Sequence, residues 1–271
     1  MALIAAGDNH YYVATAGGGQ PLLLLHGFTG SSATWLAHEA ALAPHCLMVA
    51  PDLLGHGRSD SPPDPARYRM ERCVSDLVAI LDAMGLARVN LLGYSMGGRV
   101  ALAFAIAHPE RVRALVLESA SPGLALAAER EARRTSDNAL ADFIESHGIQ
   151  AFVERWEAQP LFASQSALPT AIRRRLREQR LANNPLGLAN SLRGLGTGVQ
   201  PPLWEQLPKL APRTRLICGA LDSKFVASGQ QMANAIAGAE QIVVPGAGHA
   251  VNLEQPAVYD RLVLEFLSGS R

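Results

Sequence analysis

Residues 93–98, Gly-Tyr-Ser-Met-Gly-Gly, constrain the fold of this chain more than any other segment. The apolar run at 89–92 predicts a buried strand before them, and the apolar residues of 99–107 predict a packed helix after them. Glycines let a strand turn sharply into a helix and let the two elements approach closely. The segment therefore predicts that Ser95 stands exposed at the end of a strand, although a bare Gly-x-Ser-x-Gly also occurs in unrelated turns.

Two residues further along the chain favour a catalytic role for Ser95. Asp222 follows an apolar strand pattern, and His249 follows a second one and a glycine-rich loop. The order serine, acid, histidine is that of an α/β-hydrolase triad. An imidazole accepts the serine proton and a carboxylate orients the ring, so the three types together make the hydroxyl reactive. Taken singly, Asp222 is also a helix cap and His249 an ordinary loop residue; taken together they predict a triad.

A second carboxylate leaves the acid of this triad open. Glu118 ends the apolar strand pattern at 115–117 and occupies an alternative acid position in the same fold.

An early turn adds a site for negative charge. The leucines of 22–25 predict a buried strand that runs into His26 and Gly27. The backbone amides of Phe28 and Met96 are then expected to form an oxyanion hole. We expect His26 to order this loop rather than to perform chemistry.

Strand and helix patterns alternate along most of the chain. Strand patterns lie near residues 10–15, 21–25, 46–50, 89–94, 114–119, 214–219 and 240–244. This alternation predicts an α/β-hydrolase fold, with a mostly parallel central sheet and helices on both faces. Consecutive helix patterns break the alternation at 122–204, where turn-forming residues begin and end the segment. We therefore predict a core formed by 1–121 and 205–271 and a helical cap at 122–204.

Composition excludes several classes of function. The formal charge is +0 and 48% of the 271 residues are hydrophobic, so neither nucleic acid nor a membrane is a predicted partner. The three cysteines lie in or beside apolar stretches, which does not indicate disulfides. The sequence predicts neither a leader nor a membrane span, since a run of about 18 apolar residues is absent from it. The sequence predicts a cytoplasmic monomer or small homo-oligomer that needs no metal and no cofactor.

More specific motifs accompany these general ones. The chain resembles the 2-succinyl-6-hydroxy-2,4-cyclohexadiene-1-carboxylate synthases of menaquinone biosynthesis, which are lyases of the α/β-hydrolase superfamily. The resemblance covers nearly the whole chain. It is carried by residues 26–28, 51–59, 93–99, 159–164, 180–184 and 222–225. Because the loop at 222–225 matches this family, we favour Asp222 over Glu118 as the acid of the triad.

The resemblance implies elimination of pyruvate from 2-succinyl-5-enolpyruvyl-6-hydroxy-3-cyclohexene-1-carboxylate, a small polycarboxylate. It implies that the triad serine acts as a general base rather than as an acyl nucleophile. It also implies five substrate-binding residues: Tyr94, Arg99, Arg133, Trp156 and Arg180. Arg130 lies one turn from Arg133 and is the alternative for that position, while Trp156 is also a residue type that fills cores.

Other functions use the same motifs. A carboxylesterase or carbon–carbon bond hydrolase needs the same triad for acyl transfer, and a ligand receptor on this fold needs no triad at all. Three arginines around the pocket distinguish these alternatives, since a neutral ester has no use for them and a tricarboxylate does.

Overall fold

The computed structural model describes residues 1–269, and this part of the chain contains one eight-stranded sheet. The strands are β1 (Ala2–Ala6), β2 (Asn9–Ala16), β3 (Gln20–Leu25), β4 (Cys46–Pro51), β5 (Val89–Tyr94), β6 (Val112–Glu118), β7 (Arg213–Gly219) and β8 (Glu240–Val244). Their order across the sheet is β1-β2-β4-β3-β5-β6-β7-β8. Strand β2 runs antiparallel to both of its neighbours, and all other neighbouring pairs are parallel.

The α-helices surround this sheet. They are α1 (Glu39–Leu42), α2 (Met70–Ala83), α3 (Met96–Ala107), α4 (Ala127–Glu157), α5 (Thr170–Leu181), α6 (Pro185–Leu195), α7 (Ser223–Ala235), α8 (Val251–Glu254) and α9 (Pro256–Ser268).

The leucines of β3 explain why both faces of the sheet are covered. Side chains alternate across a strand, so Leu23 faces one side and Leu24 the other, and both are fully buried. Leu23 belongs to the core cluster that includes Val100 of α3. Leu24 belongs to a second cluster that includes Val263 of α9. A run of leucines is thus buried on both faces, and the predicted α/β-hydrolase fold is confirmed.

The chain between β6 and β7 forms helices α4, α5 and α6 and short 3-10 turns. Gly148, with φ 78°, interrupts α4 with non-helical backbone. A separate apolar cluster that includes Phe152 and Leu188 holds these helices together. The two ends of the insertion meet, because the amide of Leu203 donates to the carbonyl of Pro122 at 2.7 Å. The placement of the cap boundaries at residues 122 and 204 remains a prediction.

The strand prediction was wrong at the amino terminus, where β1 was missed. Strand β1 pairs with β2 through a turn at Gly7. Its residues 2–5 are mostly exposed, so no hydrophobic alternation signals a half-buried strand. Backbone pairing with a stronger neighbour decides its conformation instead.

Within residues 1–269, every helix is too short or too polar to cross a bilayer.

Candidate active site

Ser95 lies on a sharp turn between β5 and α3. Its backbone has φ 52° and ψ −109°, a region that residues with a side chain rarely adopt. A Cβ atom on Gly97 would lie 2.2 Å from the carbonyl oxygen of Leu25, and one on Gly93 would lie 2.3 Å from that of Gly97. These positions therefore require glycine, as the spacing of residues 93–98 predicts.

The three predicted triad residues meet at the carboxyl ends of β5, β7 and β8. Nε2 of His249 lies 2.9 Å from Oγ of Ser95, and Nδ1 lies 2.7 Å from Oδ2 of Asp222. His249 is 2% exposed and Asp222 8%, so water competes little for these hydrogen bonds. The carboxylate of Asp222 accepts a hydrogen bond from Nδ1–H, which leaves Nε2 available to accept from serine. This geometry can activate the hydroxyl, and the catalytic roles of the three residues stay predictions.

Glu118, the alternative acid, has a different set of contacts. Its Oε1 accepts from the amide of Asn252 at 2.9 Å, and its Oε2 accepts from Nδ2 of Asn252 at 2.7 Å. It is fully buried, and burial raises the pKa of its carboxyl to about 7. His249 instead bonds Asp222. Glu118 therefore supports the backbone just beyond the histidine, in agreement with the preference for Asp222.

The predicted oxyanion hole consists of two backbone amides beside Ser95. Among residues 1–269, neither Phe28 nor Met96 uses its amide in a hydrogen bond. The loop before Phe28 is ordered by His26, whose Nδ1 donates to the carbonyl of Gly27 at 2.8 Å and whose Nε2 accepts from the amide of Leu53 at 2.9 Å. Burial lowers the pKa of His26 to about 4, so the ring is neutral at physiological pH. His26 thus holds the loop, as expected.

A cavity of about 1000 Å³ lies between the sheet and the inserted helices. Ser95 and His249 lie in its wall on the sheet side. All five predicted substrate-binding residues line the same cavity: Tyr94, Arg99, Arg133, Trp156 and Arg180. The structure therefore brings these predicted residues to the cavity that holds Ser95 and His249, which are 154 positions apart in the sequence.

The three arginines differ in how their charge is balanced. Nε of Arg133 donates to Oδ1 of Asp137 at 2.7 Å, and Nη1 of Arg180 donates to Oε1 of Glu157 at 3.1 Å. Arg99 has no carboxylate partner among the described residues. Burial, followed by repulsion from Arg133, lowers the pKa of Arg99 to about 10, so it remains a cation at neutral pH.

Arg130 has a local role instead. Its Nη1 donates to the carbonyls of Leu124 and Ala125 just before α4, and it does not line the cavity. Of the two arginines one turn apart, Arg133 is therefore the one that can reach a ligand.

Two aromatic residues that line the cavity, Trp156 and Tyr94, have buried polar groups. Nε1 of Trp156 is buried without a hydrogen-bond partner in residues 1–269, although the indole also packs edge-on against Phe28 with centroids 5.2 Å apart. Tyr94 lies 5.6 Å from the His249 ring, and burial raises the pKa of its phenol. Trp156 thus packs against the apolar cluster of the inserted helices and also lines the cavity.

Sequence reasoning missed the contact that joins the inserted helices to the loop of Phe28 and Thr29. Nδ2 of Asn183 donates to the carbonyl of Thr29 at 2.9 Å, and its Oδ1 accepts from the amide of Gly57 at 2.9 Å. Asn183 lies in the motif at 180–184, but no local pattern reveals contacts across more than 100 residues. Three basic residues at the cavity wall, Arg58, Arg175 and Lys224, were missed for the same reason.

Comparison with known proteins agrees with this geometry. The family model for the alpha/beta hydrolase fold matches residues 20–256. A protein of Bacillus subtilis (strain 168), described as a candidate 2-succinyl-6-hydroxy-2,4-cyclohexadiene-1-carboxylate synthase, is 46% identical over 261 residues, covering 96% of this chain and 95% of its own. The synthase of that name from Serratia proteamaculans (strain 568) is 33% identical, covering 91% of this chain and 92% of its own.

A solved structure is also similar to this chain over nearly its whole length. MenH from S. aureus superposes with a TM-score of 0.91 at 36% identity, covering 96% of this chain and 98% of its own. Both the sequence and the structural similarity extend over the core and the inserted helices. The chain therefore belongs to the alpha/beta hydrolase fold family and, within it, to the 2-succinyl-6-hydroxy-2,4-cyclohexadiene-1-carboxylate synthases.

Proposed function

We propose that this protein is a lyase that eliminates pyruvate from 2-succinyl-5-enolpyruvyl-6-hydroxy-3-cyclohexene-1-carboxylate. The product is 2-succinyl-6-hydroxy-2,4-cyclohexadiene-1-carboxylate, which is what the relatives are named for making. The observation that carries the proposal is Arg99, a cation without a carboxylate partner in the wall of the cavity that holds the hydrogen-bonded Ser95 and His249. Such a site favours an anionic substrate over a neutral ester.

The proposed chemistry needs a base and no water. His249 accepts the proton of Ser95, and the serine oxygen removes the ring proton next to the succinyl ketone. The electrons of that C–H bond form a ring double bond, the existing double bond shifts by one position, and the C–O bond to the enolpyruvyl group breaks. The enolpyruvate that leaves takes up one proton and becomes pyruvate, so protons balance over the cycle.

Three further groups would assist this step. The amides of Phe28 and Met96 would stabilise negative charge on a substrate oxygen as the ring proton is removed. Asp222 would stabilise the imidazolium of His249. Because these groups are in place before the substrate arrives, they would need little reorganisation during the reaction.

The remaining residues would bind the substrate. Its three carboxylates match three arginines, of which Arg99 is the uncompensated one, while Arg133 and Arg180 are shared with acidic neighbours. Tyr94 and Trp156 would contribute aromatic surface to the wall around the substrate. We propose that the inserted helices form a cap that excludes water from this cavity.

The protein is proposed to work in the cytoplasm on a small-molecule polycarboxylate. The cysteines Cys46, Cys73 and Cys218 are buried free thiols, which suits a reducing compartment.

The test is release of pyruvate from the enolpyruvyl cyclohexene by the purified protein. Pyruvate release well above the spontaneous rate, lost in Ser95→Ala, supports the lyase. Absence of any acceleration, together with efficient cleavage of carboxylic esters, would instead identify an esterase or carbon–carbon bond hydrolase. Slow cleavage of activated aryl esters decides nothing, because an activated serine often has this side activity.

A further inference from the structure

Gln200 accepts a hydrogen bond from the guanidinium of Arg99 and does not itself line the cavity. Its Oε1 accepts from Nη1 of Arg99 at 2.8 Å, and the carbonyl of Leu195 accepts from the same nitrogen at 2.9 Å. Both acceptors lie at or beyond the end of α6, where the chain returns from the insertion to the core. The orientation of an arginine on core helix α3 is therefore set by the exit segment of the inserted helices.

The two contacts leave a specific edge of Arg99 available. A guanidinium is planar, and its Nε and Nη2 hydrogens point to the same side. Among residues 1–269, neither Nε nor Nη2 of Arg99 donates to a protein acceptor, and the side chain lines the cavity. Nη1 is thus used for anchoring, and the Nε/Nη2 edge is free for the two-point hydrogen bonding that a carboxylate prefers.

Gln200 leaves a buried donor without a partner. The residue is 2% exposed, and its Nε2 has no hydrogen-bond partner within the described residues. A buried N–H left unpaired is destabilising, whereas a leucine of similar size would leave none. The amide is thus poorly explained by packing and well explained by the acceptor that it supplies to Arg99.

The neutrality of Gln200 also distinguishes Arg99 from its neighbours. Arg133 is paired with the carboxylate of Asp137, and Arg180 with that of Glu157. An acidic residue at position 200 would orient Arg99 equally well, but it would cancel the charge that attracts the substrate. An amide orients the guanidinium and leaves its full charge to the ligand.

We infer that Gln200 is a positioning residue that orients Arg99 without neutralising it, so that the Nε/Nη2 edge binds a carboxylate of the substrate. The inference rests on the proposed function, because it assigns a ligand class to the same site. It adds a residue outside the cavity wall whose chemistry sets the affinity of that site for anions.

Two substitutions separate orientation from charge. Gln200→Leu removes the acceptor and keeps the volume, while Gln200→Glu keeps both the acceptor and the shape and adds a negative charge. Gln241→Leu is the matched control, since Gln241, on β8, donates to the carbonyl of Val226 in α7 and does not line the cavity. Thermal melting of each variant identifies any that fails to fold.

The first readout is binding of citrate, a tricarboxylate probe, measured by calorimetry on the full chain. We expect Gln200→Leu to raise the Kd about tenfold, the effect of losing one hydrogen bond to a charged group. Gln200→Glu is expected to raise it at least as much despite its isosteric shape, and Gln241→Leu to change it less than twofold.

The second readout is pyruvate release from the enolpyruvyl cyclohexene. Both variants at position 200 are expected to raise KM about tenfold with kcat changed less, and to leave cleavage of a neutral aryl ester unaffected. A purely structural role predicts the opposite pattern, in which Gln200→Glu is harmless and Gln200→Leu lowers all activities together.

The outcomes separate the inference from the function that it rests on. If Arg99→Ala weakens citrate binding while both substitutions of Gln200 leave it within twofold, the inference is wrong and the proposed function stands. If the unmodified protein neither binds citrate nor releases pyruvate, the proposed function itself fails.

Discussion

Asn252 donates both its backbone and its side-chain N–H to the carboxylate of Glu118, at 2.9 and 2.7 Å. Asn252 lies three residues after His249, and the carbonyl of Glu118 accepts from the amide of Ser95 at 2.8 Å. One residue at the end of β6 therefore contacts the segments that carry the serine and the histidine. Its carboxylate supports the site without bonding the imidazole.

Because the two carboxylates have different contacts, substitution of each one in turn distinguishes their roles. Asp222→Asn is expected to lower kcat about 10⁴-fold, because an amide cannot maintain the required tautomer of His249. Glu118→Gln should leave the triad working, with kcat reduced by no more than about tenfold. Turnover of the two purified variants, with circular dichroism to verify folding, checks the assignment. Greater loss in Glu118→Gln than in Asp222→Asn would make Glu118 the triad acid.

Replacement of Arg99 should impair turnover of the charged substrate and spare turnover of neutral esters. Arg99→Ala is expected to lower kcat/KM for the tricarboxylate about 10- to 100-fold, the effect of losing charge-assisted hydrogen bonds. Cleavage of a small neutral ester should be unaffected, since such an ester has no carboxylate to bind. Arg130→Ala, outside the cavity, serves as the control. Equal loss on both substrates would indicate a folding defect rather than a binding role.

Two buried histidines predict how stability depends on pH. Burial lowers the pKa of His26 to about 4 and that of His56 to about 3. Below pH 6.5 the unfolded chain binds protons that these folded rings do not, so stability is lost as the pH falls toward those values. By pH 4, which is about 2.5 pH units below the ordinary histidine pKa, each ring contributes on the order of 3 kcal/mol of this loss at about 1.4 kcal/mol per pH unit.

Urea unfolding between pH 7 and pH 4 measures this effect. The free energy of unfolding should fall less steeply in His56→Gln than in the unmodified protein. His45→Gln, which changes an exposed histidine, should leave the slope as it is. An unchanged slope in His56→Gln would mean that this ring titrates normally in the folded state.

The turn at Ser95 predicts a steric effect. Gly97→Ala places a methyl group 2.2 Å from the backbone oxygen of Leu25, which cannot move without distorting β3. We expect a loss of about 3 kcal/mol or more, since overpacking against backbone is costly. Gly18→Ala is the control, because its Cβ would meet nothing within 4 Å. Chemical denaturation of both variants, with the second within about 0.5 kcal/mol of the parent, checks this.

Local sequence patterns predicted the parts of the site that a strand or helix presents directly. Ser95, Asp222 and His249 each follow an apolar strand, and parallel strands bring their carboxyl ends to one edge of the sheet. The choice between Arg130 and Arg133 depended on which side of α4 faces the cavity. Helical periodicity alone did not settle that orientation.

Contacts between distant segments could not be predicted from local sequence patterns. Gln200 lies in a return segment without periodicity, and its partner Arg99 is 101 residues away. Strand β1 has mostly exposed side chains, so its pairing with β2 left no hydrophobic signal. In each case long-range packing or backbone pairing determines the structure, and neither leaves a local pattern.

The hydrogen bond from Leu203 to Pro122 has a consequence for how such a protein can change. The inserted helices leave and rejoin the core at neighbouring points, so they could be shortened, exchanged or removed without rethreading the sheet. Ser95, Asp222 and His249 lie outside them, whereas Arg133, Trp156 and Arg180 lie within. Exchange of that one segment would supply a new binding surface to an unaltered reaction centre.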